Sequence, residues 1–123
     1  MSKRKQVDEF IKEVRGVEFN PPARFLLGAT AVDRIGFMQE ELDEFQAAAT
    51  LEDQVDALVD LQYFLLGTLY EMGVTEEQYD ECFNRVHQAN MQKIAGVKRG
   101  RRVYGVDAEK PDEWQPPEFG DIL

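Results

Sequence analysis

The stretch Leu51–Met72, LEDQVDALVDLQYFLLGTLYEM, decides the fold. At about 100° per residue, Leu58, Leu61, Leu65, Leu69 and Met72 share one face of a helix, and Val55, Val59 and Leu66 widen it. Asp53, Asp56 and Asp60 fall within roughly 60° of one another on the far side, in line with Gly67 and flanked by Phe64. A helix this apolar calls for burial nearly all round. A buried carboxylate is unfavourable unless a metal ion, a basic partner or a ligand compensates it. The aspartate stripe is therefore the strongest functional signal in the chain.

A second set of carboxylates lies just upstream, in the run Gln39-Glu40-Glu41-Leu42-Asp43-Glu44. The spacing predicts a helix from about Ala31 to Ala49 with Ile35, Met38, Leu42 and Phe45 as its core face. Glu41 and Glu44 fall at the edge of that face, beside Phe37 and Ala48. Like charges three apart on a helix repel, so a cation is the natural mediator. Two adjacent helices that each present such a stripe can converge on one point, and oxygen-only ligands suit Mg²⁺ or Mn²⁺.

Outward from these two helices the pattern stays helical. A first amphipathic helix is expected from about Lys3 to Val14, with Val7, Phe10, Ile11 and Val14 on one side; Gly16 and Pro21-Pro22 then open a loop. Thr30-x-x-Asp33 and Thr50-x-x-Asp53 are candidate caps for the second and third helices, and Gly73 is a C-terminal stop. Thr75-x-x-Gln78 opens a fourth helix, about Glu76 to Lys93, with Tyr79, Phe83, Val86 and Ile94 as its apolar face. The rest is basic from Lys98 to Arg102 and then rich in proline (Pro111, Pro116, Pro117), which predicts an irregular tail with an extended end. The expected class is all-α: one domain spanning 1–123, a four-helix bundle with its helical core at about 3–95 and a tail at about 96–123.

Composition narrows the function. A hydrophobic fraction of 43% over 123 residues is that of a globular domain with one core. The net charge of −10 argues against general binding to a nucleic acid polymer or an anionic membrane, but a divalent cation can bridge carboxylates to the phosphates of a small substrate. One cysteine, Cys82, forbids an internal disulfide, and no apolar run is long enough to span a bilayer. The basic N-terminus lacks an apolar stretch behind it, so a cytoplasmic protein is expected. A di-iron carboxylate bundle needs Glu-x-x-His on two helices and the chain has one histidine. There is no EF-hand loop and no P-loop.

On the fourth helix Asn90 falls in the apolar face, with His87 beside it and Lys93 on its flank. Two readings stand. These polar groups share a pocket with the carboxylates, Lys93 as a phosphate ligand and Asn90 as a donor; or Asn90 and Lys93 simply sit at a fraying helix end. His87 is either a ligand or a satisfied core or interface histidine. The acidic groups likewise allow a rival class, a non-enzymatic helical module that binds a nucleotide or a partner protein.

The order Glu40-Glu41-x-x-Glu44 followed by an Asp-rich helix ending in Asp60 resembles the all-α nucleoside triphosphate pyrophosphohydrolases, which include MazG-like enzymes, dimeric dUTPases and phosphoribosyl-ATP pyrophosphohydrolase. Asp56-Ala-Leu-Val-Asp60-Leu-Gln-Tyr63 with Gly67-Thr68, then Val86-His87-Gln-Ala-Asn90-Met91-Gln-Lys93 and the late Pro116-Pro117, look like the phosphoribosyl-ATP pyrophosphohydrolase-like branch. The resemblance covers about Asp33 to Pro117. It implies a Mg²⁺-dependent hydrolase that cleaves an NTP, dNTP or related nucleotide to the monophosphate and pyrophosphate, with Mn²⁺ as a possible substitute. It implies Glu41, Glu44 and Asp60 as metal ligands. The family's remaining ligand, a glutamate, falls on Ala57, which cannot bind metal; Asp56, one turn before Asp60, is the substitute as in this branch. Glu40 becomes the candidate general base and Asp53 an outer acceptor, while Asn90 and Lys93 match positions that face the substrate phosphates; His87 is a further substrate-binding candidate. Family members pair or assemble further, so a homodimer is expected.

Overall fold

Local signals start and stop each helix of the computed structural model, which describes residues 1–96 and 107–123. Helix α1 (Lys3–Glu13) opens at Ser2, whose hydroxyl accepts from the Lys5 amide at 3.1 Å. Helix α2 (Gly28–Ala47) begins about three residues earlier than its spacing predicts. Gly28, at φ +61°, turns the chain into it, so Thr30 lies inside the first turn and its side chain is not the cap. Helix α3 (Leu51–Glu71) is capped as expected: the Thr50 hydroxyl accepts from the Asp53 amide at 3.1 Å. It ends where Gly73, at φ +74°, reverses the chain. Helix α4 (Glu76–Met91) starts one residue past Thr75. The expected all-α class with four helices holds.

The chain divides into two compact units, Met1–Glu76 and Glu77–Leu123. In the first, α2 and α3 form a helical hairpin joined by residues 48–50, and α1 lies along α3. Gly67 permits that close approach. An alanine methyl there would stand 3.3 Å from both Arg34 Nη1 and Ile11 Cδ1, so the glycine lets side chains of α1 and α2 close over α3. Val7 and Ile11 are buried in this seam. Arg34, also buried, donates from Nε to Glu71 at 2.6 Å, and Arg24 donates to the Glu71 carbonyl. Together these contacts fix the register of the hairpin ends.

The inward faces differ from those the apolar spacing predicts. On α2 the buried residues are Arg34 and Glu41, whereas Ile35 and Leu42 are 64% and 46% exposed. On α3 the buried line is Ala57, Leu66, Gly67 and Tyr70, and Leu58 and Val55 are about half exposed. Both helices thus turn their polar-bearing edge toward each other. The aspartate side of α3, rather than its leucine side, meets α2.

In the second unit the tail is ordered on α4. The Trp114 indole N–H donates to the Ala89 carbonyl at 2.6 Å, Gln78 donates to the Ile122 carbonyl at 3.0 Å, and the Arg85 guanidinium grips Asp121 at 2.6 and 2.8 Å. Cys82 is buried. Where the sequence predicts an irregular tail, strands β1 (Ile94–Gly96) and β2 (Asp107–Glu109) pair antiparallel. Three-residue strands leave no alternation for a sequence pattern to reveal. The basic run Lys98–Arg102 lies outside the described residues.

Candidate metal centre

Glu41 stands on the inward edge of α2, Glu44 one turn further along, and Asp60 on the facing edge of α3. One carboxylate oxygen from each lies within 4.8 Å of the others. A cation with metal–oxygen distances of about 2.1 Å holds neighbouring oxygens about 3.0 Å and opposed ones about 4.2 Å apart, so the three would draw together to share one ion. The electrostatics show that the cluster resists carrying its full negative charge uncompensated. Burial, then the neighbouring Glu44, then Asp60 and Asp56, push the Glu41 carboxyl from 4.5 up to about 7. Burial, with Asp56 and Glu44, raises Asp60 as well. Glu41 Oε2 is buried without a hydrogen-bond partner among the described residues. A crowded set of hard oxygen donors with one orphaned atom fits a divalent cation.

The structure brings together three of the four expected ligands. Asp56, exposed on the turn before Asp60, lies outside the convergent set and acts on Glu41 and Asp60 through its charge. Ala57 is buried and offers only a methyl group. Glu40 is exposed, and Asp53 sits in the first turn of α3 at the cap. His87 and Asn90 are exposed on α4, and Lys93, half-buried, follows it; all three belong to the second unit.

Beside the carboxylates opens a cavity of about 530 Å³ that sequence reasoning did not identify. Glu41 and Asp60 line it together with Phe10, Phe37, Tyr63, Phe64 and Arg15. Phe37 and Phe64 stack at 5.2 Å with an interplanar angle of 26°, and Phe10 meets Tyr63 edge-on at 5.6 Å. Phe37 is one turn before Glu41 and Phe64 one turn after Asp60, a spacing visible in the sequence. Phe10 and Arg15 come from around α1, and nothing in the sequence ties them to the carboxylates.

In an all-α chain, an aromatic cavity is thus lined on one side by two carboxylates, Glu41 and Asp60, of an acidic cluster that could hold a cation. The family model for phosphoribosyl-ATP pyrophosphohydrolase matches residues 7–90, and the chain belongs to that family, within the MazG-like all-α pyrophosphohydrolase superfamily. It is thereby a member of a hydrolase family that is typically metal-dependent. No curated protein matches the chain. Among the described residues no helix is long and apolar enough to cross a membrane.

Proposed function

We propose that the chain is a Mg²⁺-dependent nucleotide pyrophosphohydrolase that converts a nucleoside triphosphate, or a related nucleotide, to the monophosphate and pyrophosphate. The observation that carries this reading is the convergence of Glu41, Glu44 and Asp60 beside the aromatic cavity that Glu41 and Asp60 help to line. Glu41, Glu44 and Asp60 would hold the cation, with Asp56 as the further carboxylate. A divalent cation held there supplies charge neutralisation along the phosphate chain and lowers the pKa of a nearby water. The chain's own groups orient the substrate. The rings of Phe37, Phe64 and Tyr63 offer flat apolar faces to a base, which sets the phosphates toward the carboxylates. Arg15, at the cavity wall, is the cation of the first unit positioned to meet a substrate phosphate or base edge. Glu40 is the candidate base, Asn90 and Lys93 are the residues that the family resemblance assigns to the substrate phosphates, and His87 is a further substrate-binding candidate.

The reading also takes a second copy of the chain as partner. Val32, Ile35, Leu42, Val55 and Leu58 leave an exposed apolar face along α2 and α3, and a two-fold pair would bury the same patch on both copies.

The test is a product assay: the chain with Mg²⁺ and a panel of NTPs, dNTPs and phosphoribosyl-ATP, with nucleotides separated by ion exchange. Monophosphate with equimolar pyrophosphate is expected from at least one member. No turnover of any member with Mg²⁺ or Mn²⁺ would move the function to the rival class, a nucleotide-binding or protein-interaction module.

A further inference from the structure

Next to the aromatic cavity lies a smaller one of about 90 Å³, lined by Arg15, Thr30, Asp33, Arg34, Phe37 and Glu71. Arg15 and Phe37 line both, so the two cavities are neighbours across those side chains. Arg34 is the informative wall. It is buried, at 5% exposure, and its Nε donates to Glu71 at 2.6 Å. Its terminal nitrogens make no hydrogen bond among the described residues and are not sealed by packing, so they look onto this cavity. A buried guanidinium is unfavourable until its remaining donors find acceptors. Neither Arg15 nor Asp33 has an ion pair among the described residues.

Two guanidinium groups, two carboxylates and a hydroxyl carry no net charge between them. That selects against a phosphate, which wants a surplus of cations, and for a neutral group with acceptors and donors side by side. A space of about 90 Å³ takes the edge of a ring and not a whole nucleotide.

The order along the helices decides which part of a ligand arrives there. Helix α2 carries Arg34, Phe37, Glu41 and Glu44 in turn, and α3 runs back past it with Asp60, Phe64 and Glu71. At about 1.5 Å of rise per residue, Arg34 stands about 15 Å from Glu44 along α2, and Glu71 about 17 Å from Asp60 along α3. Both helices thus run from carboxylates through rings to the polar annex. A nucleotide runs from phosphates through sugar to base. With its phosphates at the carboxylates and its base on the rings, the far edge of the base meets the annex.

We infer that Arg15, Asp33 and Arg34 form a recognition site for the edge of a guanine base. Guanine presents two adjacent acceptors, O6 and N7, beside two adjacent donors, N1–H and N2–H₂. A guanidinium fork matches the first pair and a carboxylate fork the second. Adenine lacks the pair of adjacent donors, and a pyrimidine is one ring shorter. The site rests on the proposed seating of a base in the aromatic cavity, and not on hydrolysis.

The experiment titrates the full-length protein with guanosine, inosine and adenosine in EDTA, read by calorimetry, with the Arg34 Nε–H magnetic resonance signal as local reporter. Nucleosides carry no phosphate, so neither a cation nor turnover enters the result. Guanosine should bind about tenfold tighter than adenosine, with inosine (which lacks the N2 amino group) between them, and the Arg34 signal should move. Asp33 is exposed, so Asp33→Asn should keep the wild-type melting midpoint while guanosine falls to the affinity of adenosine. Absent binding, equal affinities, a guanosine preference that survives Asp33→Asn, or an unmoved Arg34 signal would overturn the site. Guanosine preference in a protein that hydrolyses no nucleotide would keep the site and overturn the hydrolase reading; hydrolysis without the preference would do the reverse.

Discussion

Glu41→Gln should strengthen the cation-free protein at alkaline pH, because it removes a charge that the fold resists while keeping the shape of the side chain. Glu41 is buried at 8% exposure, and its carboxyl is pushed from 4.5 up to about 7. Between those values the folded protein keeps a proton that the unfolded chain has released. Stability therefore falls as pH rises from about 4.5 to about 7 and stays low above it. Fully expressed, the displacement is worth roughly 3 kcal/mol at about 1.36 kcal/mol per pH unit. The carboxylate lines an open cavity, and solvent screening there leaves about 1–2 kcal/mol. For a domain of this size that amounts to a rise in melting midpoint of about 4–8 °C. The assay is thermal melting of wild type and Glu41→Gln in EDTA at pH 8 and pH 4. The variant should melt higher at pH 8 and alongside wild type at pH 4, where both side chains are neutral. Mg²⁺ at pH 8 should then raise wild type more than the variant. A variant that melts at or below wild type at pH 8 without cation would refute the reasoning.

Four further outcomes follow from the same geometry. Mg²⁺ should raise the melting midpoint of wild type and leave that of Asp60→Asn unchanged, read by scanning fluorimetry, with the helical circular dichroism of the variant unchanged. Arg34→Met leaves the Glu71 carboxylate without its 2.6 Å partner in a largely buried position and should lower urea-unfolding stability by about 3 kcal/mol. Gly73→Ala sets a methyl 2.7 Å from the Pro22 carbonyl oxygen at φ +74°, so chemical denaturation should show a loss of at least about 2 kcal/mol. Ile35→Glu places a charge on the exposed apolar face of α2, and sedimentation velocity should show a smaller species than wild type if a second copy covers that face.

Much of this was legible in the residues. Helix existence followed from apolar spacing, and the Thr50 cap and the Gly73 stop fell where their chemistry requires. The two acidic stripes were visible in the residues, and the family resemblance picked out Glu41, Glu44 and Asp60, the three carboxylates that α2 and α3 bring together. The direction of the helices was not. Hydrophobic spacing pointed Ile35, Leu42 and Leu58 inward, but the interior of the first unit is organised around Arg34, Glu41 and Gly67. Periodicity shows which residues share a face; it does not show whether that face meets the same chain or another surface. The aromatic cavity was half visible, through Phe37 and Phe64 one turn from the carboxylates. Phe10 and Arg15 were invisible because only tertiary packing brings them there. The pairing of Ile94 with Glu109 likewise depends on the register of a ribbon too short to leave a sequence pattern.

The central claim, that Glu41, Glu44 and Asp60 form the centre of a nucleotide pyrophosphohydrolase, is tested most directly by ³¹P magnetic resonance. The spectra would follow whichever nucleotide the panel selects, with Mg²⁺, in wild type and in Asp60→Asn. The account predicts equal growth of monophosphate and pyrophosphate signals in wild type and an unchanged spectrum in the variant. Release of orthophosphate with a nucleoside diphosphate, or the same products at the same rate from Asp60→Asn, would contradict it.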